Sequence, residues 1–256
     1  MAKITACINS FNEEDKIEDC LVSLADVADE ILVVDSNSTD RTREIAAEHA
    51  DRVIIQPFLG YVGQSNFAAE NASHDWILSL DCDERLSDEL RLQMLGEKER
   101  LGRCAAYEMA RRTYYVDRFL SHCWYPDRRI RLFDRRQGRW VGPEPHSSVQ
   151  MDAGEVVRLQ GDLLHYSFGS VSEHLQTIDR FTETGAQEML ANGVRTSVFT
   201  PLSRGAGTFA KSYLLKRGFL DGFGGLVASV LSATATFTKY SKLRYLRRAA
   251  SRAQDS

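Results

Sequence analysis

The chain has 256 residues, 43% of them hydrophobic and 27% charged, with a formal net charge of −4. That is globular material, which excludes a disordered or fibrous chain and allows one large domain or a domain with an appendage. The charge is uneven: residues 204–256 hold ten Lys/Arg against two Asp/Glu, and the rest hold 22 against 34. A basic tail on an acidic body is expected to meet something anionic, a membrane surface or nucleic acid.

The N-terminal "KITACIN" reads as a strand, with no apolar signal region behind its lysine, so no signal peptide is expected. "EEDKIEDCLVSLADV" places Ile17, Cys20, Leu21 and Leu24 at helical spacing, and "EILVVD" is an apolar run typical of a strand covered on both faces. "STDRTREIAAEHA" starts with Ser38 and Asp40 as candidate caps and reads as a helix. Strand "RVIIQ", helix "QSNFAAENAS", strand "DWILSLD" and helix "SDELRLQMLGEKER" follow. This alternation predicts a parallel, doubly wound sheet, whose ligands bind beyond the carboxyl ends of the strands. "SFNEE" (10–14), "DSNSTD" (35–40) and "DCDE" (81–84) all fall there.

The middle of the chain changes character. "AAYEMARRTYYVD", "RRIRLFDRR" and "RWVG" are rich in aromatic and β-branched residues and predict shorter strands, whereas "GPEPH" (142–146) is a loop. From Ser170 onward the pattern is helical. Two runs, 53–69 and 222–238, lack charged side chains for 17 residues each, short of the ~20 mostly apolar residues of a membrane span. The five cysteines are scattered without a C-x-x-C pair, so neither a zinc site nor a disulfide framework is expected, and a reducing cytosol fits.

Three carboxylates crowd the end of the fourth strand. In an extended chain Asp81 and Asp83 point the same way, and two such carboxylates can hold a hard divalent cation. The competing reading makes Asp83 or Asp88 a helix cap. Asp35 either closes an Asx-turn or accepts hydrogen bonds from a base or ribose. Glu13 and Glu14 either serve a ligand or simply favour a first helical turn. Arg128, Arg129 and Arg131 either meet an anionic acceptor or are surface charge on a strand.

The order of "SFNEE", "VVDSNSTDRT", "GYVGQSNFA" and "WILSLDCDE" resembles the family 2 glycosyltransferases, which have a GT-A fold. Within that family "RLFDRRQGRWVGPEPHSSV", "HYSF" and "YLLKRGFLDGFGG" are similar to the bacterial lipopolysaccharide core β-glucosyltransferase group. The resemblance covers nearly the whole chain. It implies an α/β fold of the GT-A nucleotide-sugar-binding type, with a mainly parallel mixed sheet and a helical, basic C-terminal extension. The catalytic domain would span 1–168, with a nucleotide-sugar half at 1–100 and an acceptor half at 101–168. A membrane-associated helical region would span 169–256.

By position, the resemblance puts Glu13 on the donor ribose and Asp35 on the uracil edge. Ser10 and Asn12 line the same pocket, and Gln64 and Asn66 lie near the donor. Ser65 stands where many members carry a basic residue, so diphosphate contacts come from elsewhere. Asp81 and Asp83 match the pair that holds Mg²⁺ or Mn²⁺, with Asp83 the direct ligand. Glu144 is the implied base; many relatives place that carboxylate after the histidine, where this chain has Ser147. His146 and Arg129 fall on the acceptor side.

The implied reaction is inverting transfer of glucose from UDP-glucose to a lipopolysaccharide core saccharide. Transfer to a polyprenyl phosphate is a rival, as is a non-catalytic scaffold that binds nucleotide sugars at a membrane. The basic amphipathic C-terminus fits an interfacial helix on anionic lipid, the alternative being a core helix with a solvated basic end. No nucleic-acid recognition motif accompanies it. The expected location is cytoplasmic, peripheral to the inner face of the cytoplasmic membrane.

Overall fold

The computed structural model describes residues 2–143 and 147–254. Glu144 and His146 lie outside the described residues. The chain divides into two compact units, one of residues up to Arg112 with Asp127–His165, the other of Thr113–Pro126 with the chain from Tyr166 onward.

The first unit is built on strands β1 (Ile4–Ser10), β2 (Glu30–Asp35), β3 (Arg52–Ile55) and β4 (Trp76–Asp81). They pair in parallel in the order β3-β2-β1-β4. Helices α1 (Ile17–Val22), α2 (Thr42–His49) and α3 (Tyr61–Asn71) connect them. Strands β1, β2 and β4 are largely apolar on both faces because both are covered, whereas β3 is a partly exposed edge. On one face Ile4, Ile8, Val33 and Leu78 pack with Ile17 and Leu21 of α1. On the other, Cys7, Leu32, Val34 and Ile77 pack with Ala68 and Ala69 of α3.

The sequence-predicted doubly wound sheet is parallel only over this half. After β5 (Glu84–Leu86) and α4 (Asp88–Glu97) come β6 (Ala106–Tyr115), β7 (Arg118–Phe119), β8 (Asp127–Asp134), β9 (Gly138–Val141), β10 (Ser148–Met151) and β11 (Val156–Phe168). Among the described residues the sheet continues β4-β8-β6-β11-β5, with β7 on β6, and β9 and β10 form a separate hairpin. Strand β8 runs antiparallel to β4, with Ile77 opposite Phe133, and β5 runs antiparallel to β11. The result is a mixed α/β sheet.

The second unit is mainly helical: α5 (Val171–Ala191), α6 (Thr200–Phe209), a π-helical turn at Ala210–Leu215, a 3₁₀ turn at Gly218–Asp221 and α7 (Gly222–Gln254). Ser170 caps α5 by accepting from the Glu173 N–H. Small residues bring α6 and α7 together: a Cβ on Gly205 would sit 3.2 Å from the Ala233 carbonyl. Hydroxyl pairs join Ser212 to Ser229 (2.9 Å) and Thr208 to Thr236 (3.1 Å). A Cβ on Gly225 would lie 2.0 Å from the Gly218 carbonyl oxygen, so that position must be glycine. Buried Asp221 accepts from the backbone N–H groups of Ser121, His122 and Cys123. His174 is enclosed by Tyr115, Trp124 and Phe168, and its Nδ1 meets the Tyr115 hydroxyl at 3.1 Å.

Two expectations about the C-terminus change. The helical stretch Gly218–Arg252 contains an 18-residue window of mean hydropathy 1.3. By length and composition it is long and apolar enough to cross a membrane, which the 17-residue uncharged run understated. A core helix meets the same criterion, and α7 packs against both α5 and α6. The basic end of α7 is also partly spent internally: Lys242 pairs with Asp179 (2.8 Å), and Arg247 donates to the Val194 carbonyl.

Candidate active site

The first rim element is a mesh between the loops after β1 and β2. Asp35, fully buried, accepts from the Ser10 hydroxyl (2.9 Å), the Ser38 hydroxyl and the Ser38 N–H (2.8 Å). Asn12 sits at φ 54°, a left-handed conformation that Asn tolerates better than most residues. Its N–H donates to Ser38 Oγ and its side-chain oxygen accepts from the Thr39 N–H (2.8 Å). The Glu13 N–H donates to Thr42 Oγ1, and Glu13 pairs with Lys16 at 3.4 Å. Asp40, one of the two candidate caps, accepts from the N–H and hydroxyl of Thr42, whereas Ser38 serves Asp35 and Asn12.

Gln64 and Asn66, four residues into α3 and beyond, have different neighbours. Gln64 is buried and spans Ser36 Oγ (3.1 Å) and the Leu59 N–H (3.2 Å). Asn66 forms a two-way amide pair with the backbone of Trp140, donating to its carbonyl and accepting from its N–H, both at 3.0 Å. It therefore anchors the β9–β10 hairpin at Trp140. Ser65 accepts from Asn9 Nδ2.

The carboxylate cluster departs from the extended-chain reading. Residues 82 and 83 form a turn between β4 and β5, so Asp81 and Asp83 do not follow strand alternation. Asp81 is exposed and accepts from Arg131 Nη2 at 2.8 Å. Asp83 is half-buried, with its Oδ2 3.2 Å from His165 Nε2. Neither Asp83 nor Asp88 caps α4; Ser87 does, accepting from the Leu90 N–H. Glu84 is fully buried. It accepts from Arg131 (2.6 Å), Arg111 (3.1 Å) and the Asp81 N–H (3.1 Å). Arg111 reaches on to Asp127 (2.7 Å). Cys82, between the aspartates, is a buried thiol.

Electrostatics follow from this wiring. Burial works against the charge of Arg131, but Glu84 and Asp81 outweigh it and hold the guanidinium firmly charged. Burial likewise raises the Asp83 carboxyl, yet His165, Lys16 and Arg111 bring it net below its ordinary value. Arg131 is thus neither surface charge nor an exposed acceptor contact; it is buried and stacks 5.7 Å from the Trp140 ring centroid. Arg129, placed on the acceptor side from sequence, pairs with Asp127 at 3.1 Å.

Sequence reasoning gave no role to His165 or Arg111. Both arrive by long-range pairing: β11 sets His165 opposite Glu84, and β6 sets Arg111 opposite Asp127. The "HYSF" stretch was the available signal for His165, but only the strand register identifies its partner. Among the described residues no group of three or more His, Cys, Asp or Glu clusters as a ready-made metal cage.

A parallel half-sheet with hydroxyl- and carboxylate-bearing loops at its strand ends is the architecture of a nucleotide-binding α/β protein. The chain belongs to glycosyl transferase family 2, whose profile matches residues 5–149, and it is a glycosyltransferase. It is 31% identical over 257 residues to an "uncharacterized glycosyltransferase" of Rickettsia typhi, covering 96% of this chain and 88% of the relative. It is 26% identical to the lipopolysaccharide core biosynthesis glycosyltransferase LpsC of Rhizobium meliloti, covering 93% of each. Among solved structures it is similar to glucosyl-3-phosphoglycerate synthase of Mycobacterium tuberculosis, crystallised with Mn²⁺, UDP and glucosyl-3-phosphoglycerate. That match has a TM-score of 0.36 and 20% identity over 44% of each chain. S. aureus TarS matches with a TM-score of 0.43 and 15% identity, over 97% of this chain and 92% of that one.

Proposed function

We propose that this glycosyltransferase moves glucose from UDP-glucose to a saccharide of the lipopolysaccharide core, with inversion, at the inner face of the cytoplasmic membrane. The observation that carries the site is the clustering of Asp81, Asp83, Glu84, Arg131 and His165 just beyond β4, whose neighbour β1 ends in the Ser10–Glu13 loop. The relative from Rhizobium meliloti supports the acceptor class.

In this reading Ser10, Asn12, Glu13, Asp35 and Gln64 form the nucleoside pocket. Glu13 is the half-buried carboxylate on the ribose side, and Asp35 shapes the pocket for the base from within the mesh. Asn66 acts at one remove, by fixing the hairpin at Trp140. The residues present fit a divalent cation: Asp83 and His165 offer one oxygen and one nitrogen donor side by side, and Asp81 a further exposed carboxylate. A hard cation of the Mg²⁺ type is commonly held by one or two protein ligands plus substrate phosphates. When bound, it supplies charge neutralisation for the diphosphate leaving group. Glu144 takes the proton from the acceptor hydroxyl as that oxygen attacks the anomeric carbon and the bond to UDP breaks. The resemblance assigns His146 and Arg129 to the acceptor.

The test is transfer or slow donor hydrolysis by purified protein with a panel of UDP-sugars and Mn²⁺, repeated with Asp83→Ala and Glu144→Gln. Unchanged turnover in Asp83→Ala removes the metal role, and near-normal transfer in Glu144→Gln removes the base. Preference for a lipid phosphate over core oligosaccharide as acceptor overturns the acceptor class.

A further inference from the structure

The corner that joins the π-helical turn to α7 exposes large apolar side chains in close succession. Leu214, Leu215, Phe219, Leu220 and Phe223 are all exposed, Leu215 at 79% and Phe223 at 75% of their full surface. A soluble corner of ten residues would ordinarily place such side chains inward or replace them with polar ones. Here the inward positions are taken by Ser212, Gly218, Asp221 and Gly225. Gly218 leaves no room for a side chain, since a Cβ there would meet the Ser212 carbonyl at 2.8 Å. The backbone is closed off: Lys216 N–H donates to the Lys211 carbonyl (2.9 Å), Arg217 N–H to Leu214 (3.1 Å) and Leu220 N–H to Arg217 (2.9 Å). A segment with its peptide groups already paired can leave water at low cost.

Charge selects the occupant. Lys211, Lys216 and Arg217 are exposed around the apolar side chains, and their side chains make no ion pair among the described residues. The sole acid from 204 to 254 is Asp221, which is buried and taken up by the 121–123 backbone. The exposed Asp117 is paired with Arg118 at 3.0 Å, and the Arg118 side chain lies against Gly222 and Gly224. Exposed apolar side chains flanked by unpaired cations complement acyl chains beneath anionic headgroups. We infer that the 211–223 corner is the membrane-inserting element of this protein, its five apolar side chains entering an anionic bilayer and Lys211, Lys216 and Arg217 meeting the headgroups. This rests on the peripheral-membrane reading above and deepens it, because it moves the contact from the basic end of α7 to the opposite end of that helix.

Flotation of the full chain with phosphatidylcholine vesicles, with and without phosphatidylglycerol, tests it. Wild-type protein should float with the anionic vesicles. Leu215→Glu/Phe223→Glu should weaken binding at least about tenfold. Lys211→Gln/Lys216→Gln should weaken it by about fivefold per charge on anionic vesicles only. Arg247→Gln/Arg248→Gln, at the other end of α7, and Leu92→Glu, an exposed leucine of α4, should bind like wild type. All these positions are exposed except the half-buried Arg247, and an unchanged far-ultraviolet circular dichroism spectrum confirms folding. If Leu215→Glu/Phe223→Glu floats normally while Arg247→Gln/Arg248→Gln does not, the corner assignment fails and the peripheral reading stands. If wild type floats with neither vesicle, the peripheral reading itself falls. Loss of self-association in the corner variant, with no loss of vesicle binding, would assign the corner to a second copy of the chain and overturn the inference.

Discussion

Removing the Glu84 carboxylate is the sharpest test of how the carboxylate cluster is held. In wild type the fully buried Glu84 accepts from Arg131, Arg111 and the Asp81 N–H. Glu84→Ala leaves Arg131 buried with Asp81 alone, while Arg111 keeps Asp127. Truncating one partner of a buried ion pair costs about 3–5 kcal/mol. The surviving Asp81 and Asp127 contacts place this case at the low end, about 3 kcal/mol. For a chain of this size that corresponds to a fall in melting temperature of roughly 6–12 °C. Thermal and urea unfolding measure it directly. A double-mutant cycle with Arg131→Met then isolates the pair, and the double variant should lose less than the sum of the singles by at least ~1 kcal/mol. A Glu84→Ala loss below about 1 kcal/mol, or simple additivity with Arg131→Met, would show that the network does not hold the turn.

Two further perturbations probe other links. Burial holds His174 neutral, pulling it down to about 4 from 6.5. The folded state therefore refuses a proton that the unfolded chain accepts, so stability is full above pH 6.5 and is lost as pH falls toward 4. Linkage puts the loss near 2 kcal/mol by pH 5, and His174→Phe should flatten unfolding free energy over that window; an unchanged slope would refute the assignment. Asn66→Asp cannot donate to the Trp140 carbonyl, costing about 1–2 kcal/mol at the hairpin. Transfer should slow while UDP affinity by calorimetry stays within twofold, about a 0.4 kcal/mol change; a matching loss of UDP affinity would instead put Asn66 on the donor.

The parallel half of the sheet was legible because its signals are local. β1, β2 and β4 end where "SFNEE", "DSNSTD" and "DCDE" begin, and each strand is a short apolar run bounded by turn residues. The antiparallel half was legible only as a set of strands. Nothing near "RRIRLFD" says that β8 slots between β4 and β6, yet that placement carries Arg131 to Asp81. An arginine on a predicted strand reads as surface charge or as a contact for an anionic acceptor, because arginine is rarely buried unpaired. Its burial here depends on Glu84, 47 residues away in sequence. The same applies to His165, whose partner Asp83 becomes a neighbour only through the β5–β11 register. The D-x-D pair was visible, but its conformation was not, since strand alternation stops one residue before Cys82.

The mesh around Asp35 bears on the energetics of ligand capture. Loops that become ordered only when a ligand arrives take that ordering out of the affinity, at about 0.5–1.5 kcal/mol for each side chain immobilised. Ser10, Asn12, Ser38 and Thr39 are already fixed through Asp35 and Asn12 in the free protein. Folding has settled that entropic cost before any nucleotide arrives. A change at Asp35 would therefore register as slack in both loops at once, with weaker binding of every ligand that uses them, whichever base or sugar it carries.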